Sequence, residues 1–204
     1  MGMRKGCLLS AKDAAHPRLQ IELPISTVQM EYTYHVKSEK MLAKIIDLIK
    51  TAKSYCDDVE LSALDATRAD EGFLLSVVKE AAENGVTSIT LCDDAGISLP
   101  EEIADMVSKV KNAVNVPICV AVSDRINMAV ASAIAAVMGG ADGVKCAMAG
   151  KDVLLTGEFS DAISVCSARV GAECSLNNTK IHASIDDMLE SINHGSYSNE
   201  NASD

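Results

Sequence analysis

The sequence lacks the short cysteine spacings and the phosphate-binding loop that mark several common classes of functional site. Its seven cysteines are scattered and include no C-x-x-C pair, which excludes a zinc-finger framework and a thioredoxin-like redox motif. A glycine-rich run at 138–143 precedes a predicted strand, whereas a dinucleotide-binding fingerprint follows one. We therefore expect reduced thiols in a cytoplasmic protein.

The chain has few basic residues, and its N-terminus has no long apolar run. Lysine and arginine number 18 against 29 acidic residues, so the formal net charge is -11. This balance repels nucleic-acid phosphates and anionic lipid surfaces. The apolar stretch within residues 1–9 is too short for a signal peptide or a membrane span. We expect neither nucleic acid nor membrane among the partners.

The chain has 204 residues, of which 48% are hydrophobic, and this is enough for one sizeable core. We expect a poorly ordered leader over 1–16 and one folded domain over 17–170. An extension with a short helix follows over 171–192, and a disordered polar tail over 193–204.

Within the domain, one pattern recurs: a β-prone run, a polar turn and an amphipathic helical stretch. The predicted strands are 18–26, 58–64, 87–92, 117–122 and 143–148. Such alternation predicts a parallel sheet whose following loops gather at one edge, where function is usually located. From the pattern alone, the sheet is either an open doubly wound one or part of a closed barrel.

Carboxylates dominate the predicted strand ends, where Glu60, Thr67 and Arg68 are further polar candidates. The carboxylates are Asp65, Asp93, Asp94 and Asp124. Together they could hold Mg²⁺, which prefers oxygen ligands. The alternative, which we favour, is that they cap the N-termini of helices. Because adjacent residues of a strand point to opposite sides, only one of Asp93 and Asp94 can face the centre.

Imidazole and activated thiols are missing from these strand ends. The four histidines lie elsewhere, at 16, 35, 182 and 194, which disfavours zinc chemistry and a Ser-His-Asp triad. Cys92 and Cys146 lie near strand ends and are candidate nucleophiles. No basic residue is adjacent to either of them to lower a thiol pKa, so buried structural cysteines are favoured.

Residues 57–102 carry a specific likeness, above all in the run ALDATRADEGFL at 63–74. This stretch resembles the acetyl-CoA-dependent 2-isopropylmalate synthase and homocitrate synthase family, which belongs to the metal-dependent lyase and synthase TIM barrels. The likeness extends over about residues 17–170. It implies a partial (β/α)8 barrel, in which the five predicted strands match the family's fourth to eighth strands. The first three strands, with a metal-binding Asp-Arg-Glu motif, are then expected to be absent from this chain.

The resemblance also shows departures at positions that carry chemistry in the family. The family's His-x-His metal ligands are replaced here by Ala121 and Ser123, and its Pro-Asp-Thr by Cys92-Asp93-Asp94. The matching residues, which would form a vestigial site together with Asp94, are Glu60, Asp65, Thr67, Arg68 and Asp93. Alanine cannot coordinate a metal. An acidic Asp94 would repel an anionic 2-oxo acid.

The family activity is a Claisen condensation, in which acetyl-CoA transfers its acyl group to a 2-oxo acid. We expect the chain not to catalyse this reaction alone and to hold no cofactor, with Mg²⁺ or Mn²⁺ bound only if the carboxylate cluster is repurposed. Three alternatives remain: a non-catalytic partner or regulatory subunit, a decayed fragment, or new Mg²⁺ chemistry. We expect a homo-oligomer, or a partner chain that supplies the missing strands through open edges at 18–26 and 143–148.

Overall fold

The computed structural model describes residues 15–200, with side chains described as far as residue 192. Most of the predicted leader, 1–14, and the last four residues of the predicted tail lie outside this part of the chain. The described residues contain one parallel sheet whose strands follow the chain in spatial order. The strands are β1 (Arg18–Pro24), β2 (Asp58–Leu64), β3 (Ser88–Asp93), β4 (Ile118–Val122) and β5 (Gly143–Val144).

Helices connect and follow the strands. They are α1 (Ser38–Lys53), α2 (Glu71–Glu83), α3 (Pro100–Ala113), α4 (Ala129–Met138), α5 (Thr156–Val170) and α6 (Asn178–Glu200). A π-helix at Gln29–Thr33 follows β1 and a 3-10 turn at Ala66–Arg68 follows β2. Doubly wound sheets reverse their strand order at a switch point, and this sheet does not. The sheet is therefore an open segment of a TIM barrel.

The two faces of the sheet differ in chemistry. In β1, Leu19, Ile21 and Leu23 are buried while Arg18, Gln20 and Glu22 are exposed. The apolar face continues through the other strands and packs on the helices. Its buried core includes Val59, Leu61, Ile89, Leu91, Ile118 and Val120 from the strands, with Ile45, Ile49, Val77, Ile103 and Val107 from the helices. The opposite face, which would line a closed barrel, is called the inner face below.

The two edges of the sheet are unequal, which corrects the expectation of two open edge strands. β5 is only two residues long rather than six. Beyond β5, the Ala147 N–H donates to the carbonyl of Leu154, and the Thr156 N–H donates to the carbonyl of Ala147. The chain thus folds back on its own edge and leaves little backbone free there. β1 retains an edge without a strand partner in the described part of the chain.

The C-terminal helix is longer than the sequence pattern suggested. A short helix within residues 171–192 was expected, whereas α6 runs from Asn178 to Glu200. It therefore extends over 193–200, within the predicted disordered tail. Once a helix is nucleated, each further residue adds one hydrogen bond, so a helix can continue into polar sequence. Among the described residues, no helix is long and apolar enough to cross a membrane.

Candidate functional site

Asp65 directly follows β2, and its carboxylate is bound by side chains of the fold. The residue is completely buried and has a left-handed backbone, with φ of 56°. Its carboxylate accepts hydrogen bonds from Arg68 Nε at 2.8 Å and Arg68 Nη2 at 2.7 Å. The buried Ser26 hydroxyl also donates to it. The hydrogen bonds to Asp65 raise the pKa of Arg68 above its ordinary value.

Thr67 and Asp93 form a second pair between neighbouring strand ends. The Thr67 hydroxyl donates to Asp93 Oδ1 at 2.7 Å, and the Gly96 backbone N–H donates to the same atom at 3.2 Å. Asp93 is 4% exposed. Gly96 has φ of +62°, and a Cβ there would lie 2.9 Å from the Cβ atoms of both Ser123 and Arg125. The hydrogen bond from Gly96 to Asp93 therefore holds the tight loop after β3, which has no room for a side chain at position 96.

Asp94 points to the inner face, while Asp93 points away from it. Asp94 lines the inner-face cavity described below. Partial burial and the neighbouring Asp65 carboxylate raise the pKa of Asp94, although the Asp65 backbone and the Gln29 side chain donate hydrogen bonds to it. The opposite orientation of the two adjacent carboxylates agrees with the strand geometry expected from the sequence.

Asp124 has the helix-capping role that was favoured for the carboxylates. Its Oδ1 accepts a hydrogen bond from the Ala129 N–H at the start of α4, at 2.8 Å. Asp65 and Asp93 instead bind side chains and loop backbone. The capping interpretation therefore holds for Asp124 and not for these two. His182 lies away from the strand ends, with its Nε2 3.0 Å from Asp161 Oδ2 on α5, and the side chain of His194 lies outside the described residues.

Glu60 is not at a strand end, which corrects its grouping with the loop residues. β2 continues for four residues beyond it, to Leu64, and Glu60 is among the buried residues in the middle of the strand. Glu60 Oε1 accepts hydrogen bonds from Thr90 at 2.6 Å and from the Lys145 ammonium, and Arg18 Nη1 lies 3.5 Å from Oε2. Burial alone would raise the pKa of Glu60, but the hydrogen bonds from Lys145 and Thr90 lower it below its usual value.

Lys145 is the functional-site candidate that sequence reasoning missed. The only signal was one charged residue within the β-prone run GVKCAM. Its partner Glu60 is 85 residues away, and only the register of the strands brings the two together. Their ion pair ties the β5 end of the inner face to β2.

A cavity of about 320 Å³ opens on the inner face at the strand ends. Its polar lining includes Gln20, Glu22, Ser62, Thr90, Asp94 and Lys145. Ala121 and Ser123 also line it, so the two positions where the resemblance expects metal-binding histidines do face the cavity. They offer a methyl group and a hydroxyl. Within the part of the chain that the structure describes, no three His, Cys, Asp or Glu side chains are grouped as a metal site requires.

Thr67 and Arg68 line a different cavity, of about 350 Å³, between α2 and α3. Its floor is apolar, with Leu74, Leu75 and Met106. The structure therefore does not bring all the sequence-predicted site residues together. Asp94 faces the inner cavity and Glu60 lies deeper on the inner face, whereas Thr67 and Arg68 face the groove between the helices.

The thiols on the inner face are poor nucleophiles. Burial raises the pKa of Cys92 to about 12 and that of Cys146 to about 11. Both residues line the inner cavity. Because the thiolate is the reactive form, a nucleophilic role for either residue is disfavoured.

Alkylation with iodoacetamide at pH 8 should therefore modify Cys92 and Cys146 at least about 100-fold more slowly than free cysteine, whose pKa is about 8.5. Peptide mass spectrometry over a time course measures each site separately. The same protein in urea is the control, and there both sites should react at the rate of free cysteine. Fast modification of either thiol in the folded chain would contradict the buried-thiol interpretation.

Comparison with known sequences identifies similar proteins. The sequence model described as HMGL-like matches residues 4–152. A 2-isopropylmalate synthase of Stenotrophomonas maltophilia (strain R551-3) is 38% identical over 144 residues, which cover 67% of this chain and 27% of that protein. A 2-isopropylmalate synthase of Xylella fastidiosa (strain M23) is 35% identical over 143 residues, covering 68% and 28%. The chain spans about a quarter of the length of the curated relatives it matches.

Solved structures show the same fold at low sequence identity. An HMG-CoA lyase from Bacillus subtilis superposes with a TM-score of 0.75 at 10% identity, covering 94% of this chain and 69% of that one. The carboxyl transferase domain of Rhizobium etli pyruvate carboxylase gives a TM-score of 0.64 at 19% identity, covering 88% and 29%. These likenesses support a barrel segment and say nothing further about chemistry.

Proposed function

Because this chain belongs to the HMGL-like family, we propose that it is a family member that does not perform metal-dependent acyl transfer by itself and acts through association with another chain. The observation that carries this proposal is the presence of Ala121 and Ser123 on the wall of the inner cavity. The metal ligands that the family resemblance implies at these positions would belong to this chain's own β4 and the residue that follows it. A partner that supplied further strands could not restore them.

The charge of the cavity also disfavours an anionic substrate. Glu22 and Asp94 line it, and Lys145 is already paired with Glu60. A 2-oxo acid carries a carboxylate, which Asp94 would repel. Without a metal ion to polarise the keto oxygen, the condensation loses its main source of electrophilic activation.

The support for association is the β1 edge. In the described part of the chain, the outer backbone of β1 has no strand partner. An exposed parallel edge is a template for another chain. The occupant is either a second copy of this chain or a partner that supplies strands, and its role would be structural or regulatory rather than catalytic.

The test is thiol release from acetyl-CoA with a panel of 2-oxo acids, with and without Mg²⁺, Mn²⁺ or Zn²⁺. We expect no turnover above background, while the S. maltophilia 2-isopropylmalate synthase, assayed with the same panel, serves as a positive control. Metal-dependent turnover that Asp94→Asn changes would overturn the proposal, because it would place a working site in the inner cavity. Turnover unaffected by that substitution would overturn it as well.

A further inference from the structure

The backbone of β1 directs every second residue to the open edge. The Ile25 N–H donates to the carbonyl of Leu64 in β2 at 3.0 Å. In a strand, the N–H and C=O of one residue point to the same side and successive residues alternate. The odd-numbered residues of β1 therefore bond β2. The even-numbered residues Arg18, Gln20 and Glu22 present both backbone groups to the outer edge, which has no strand partner among residues 15–200.

From this edge we propose that two copies of the chain pair β1 against β1, antiparallel, about a two-fold axis at Gln20. This inference rests on the proposed function, in which the chain acts through association, and it names the partner. In this register Gln20 lies opposite its own copy, while Arg18 lies opposite Glu22 of the second copy at both ends. Directly opposite residues share a face, so the two charges meet on the inner face.

The side chains at both ends are able to make this contact. Arg18 is bound to Asp58 through Nε at 2.8 Å, and its side chain is still 53% exposed. Glu22 is exposed, and its Oε1 accepts a hydrogen bond from Gln20 Nε2 at 2.9 Å. A single strand thus carries a cation, a neutral centre and an anion with equal spacing. Opposite charges therefore face each other only when two copies of the strand run antiparallel.

The backbone groups fit the same register. An antiparallel hydrogen-bonded pair exchanges two hydrogen bonds, so the three pairs formed by Arg18, Gln20 and Glu22 would exchange about six. Pro24 ends the strand, and its missing N–H lies on the outer edge. A shift of two residues toward the C-terminus would bring Pro24 into the ladder and separate the opposite charges. Pro24 therefore favours the register centred on Gln20.

The opposite edge of the sheet does not offer an equivalent surface. β5 has two residues, and the backbone around Ala147 already bonds Leu154 and Thr156. Pairing through β1 consequently gives a closed dimer with an isologous interface rather than an open filament.

Sedimentation equilibrium of the full chain and of charge-reversed variants tests this dimer. Glu22→Arg should weaken it at least tenfold, because two arginines then face each other at each end. Arg18→Glu should weaken it similarly, because two glutamates do. An equimolar mixture of the two variants should associate within about threefold of the unaltered chain, since both contacts are then complementary again. Glu101→Arg, on the exposed surface of α3, changes the net charge equally and should have no effect.

Gln20→Pro is a second test of the dimer, and it leaves the Arg18 ion pairs intact. It removes an N–H that points outward, so the sheet of one copy loses no backbone hydrogen bond, although the side-chain hydrogen bonds from Gln20 to Ser62 and Glu22 are lost. The chain should become monomeric with unchanged circular dichroism. A monomeric unaltered chain at about 200 µM, or a dimer that none of these variants weakens, would overturn the inference. A monomer without acyl transfer overturns this inference alone, whereas metal-dependent turnover overturns the proposed function whatever the oligomeric state.

Discussion

Arg68→Met should lower the free energy of unfolding by about 2–3 kcal/mol. Breaking a buried ion pair by removing one partner costs about 3–5 kcal/mol, and the 37% exposure of the Arg68 side chain reduces this through solvent screening. The cost arises because the Asp65 carboxylate is fully buried and loses a two-pronged partner. Urea denaturation at pH 7 measures the change.

Two further variants distinguish the cost of leaving the Asp65 charge unpaired from the general effect of replacing an arginine by methionine. Arg125→Met removes an exposed arginine in the loop after β4 and should change stability by less than about 0.5 kcal/mol. Adding Asp65→Asn to Arg68→Met should recover part of the loss, since asparagine keeps the shape, tolerates the left-handed backbone and carries no charge. A double variant that is less stable than Arg68→Met would contradict this explanation.

Lys145→Met should cost about 1–2 kcal/mol at pH 7, because it leaves the buried Glu60 carboxylate without its ammonium partner. The Lys145 side chain is 38% exposed, so the cost lies below that of a fully buried pair. Lys151→Met, an exposed lysine on the following loop, is the matched control and should be neutral. Chemical denaturation of both variants decides between a specific loss and a general effect of removing a lysine.

The pH dependence of the Lys145→Met loss has a definite sign. In the unaltered chain the pKa of Glu60 is lowered, so this group stabilises the fold above about pH 4 and ceases to do so as the pH falls below that value. Without Lys145, burial dominates and raises the pKa of Glu60. The difference in stability between the two proteins should then shrink between pH 7 and pH 5. A difference that stayed constant or grew on acidification would contradict the role assigned to Glu60.

The sequence was sufficient to predict most of the sheet. β2 begins and ends where its pattern suggested. β1 and β4 differ by one or two residues at one end, and β3 is shifted by one residue at both ends. Apolar runs bounded by turns are strong local signals. β5 was predicted as six residues and has two, because its continuation bonds the segment around Leu154 instead. That choice depends on a long-range contact, which a local pattern does not contain.

The site was less predictable than the sheet because the register between strands decides which side chains meet. The alternation in β1 reveals which residues face inward. β2 is buried on both sides and shows no alternation, so the inward direction of Glu60 was not visible. Asp65 and Asp93 were correctly expected at strand ends, whereas their partners Arg68 and Thr67 turned out to face the groove between α2 and α3.

According to the proposed function, the inner cavity cannot hold the metal ion that the family's activity requires. Titration of the full chain with Mn²⁺, followed by the electron paramagnetic resonance signal of the free ion, tests it most directly. We predict that the free-ion signal rises in proportion to added Mn²⁺ up to about 200 µM, as it does in buffer. One equivalent of Mn²⁺ bound tightly, and released on Asp94→Asn, would contradict the account.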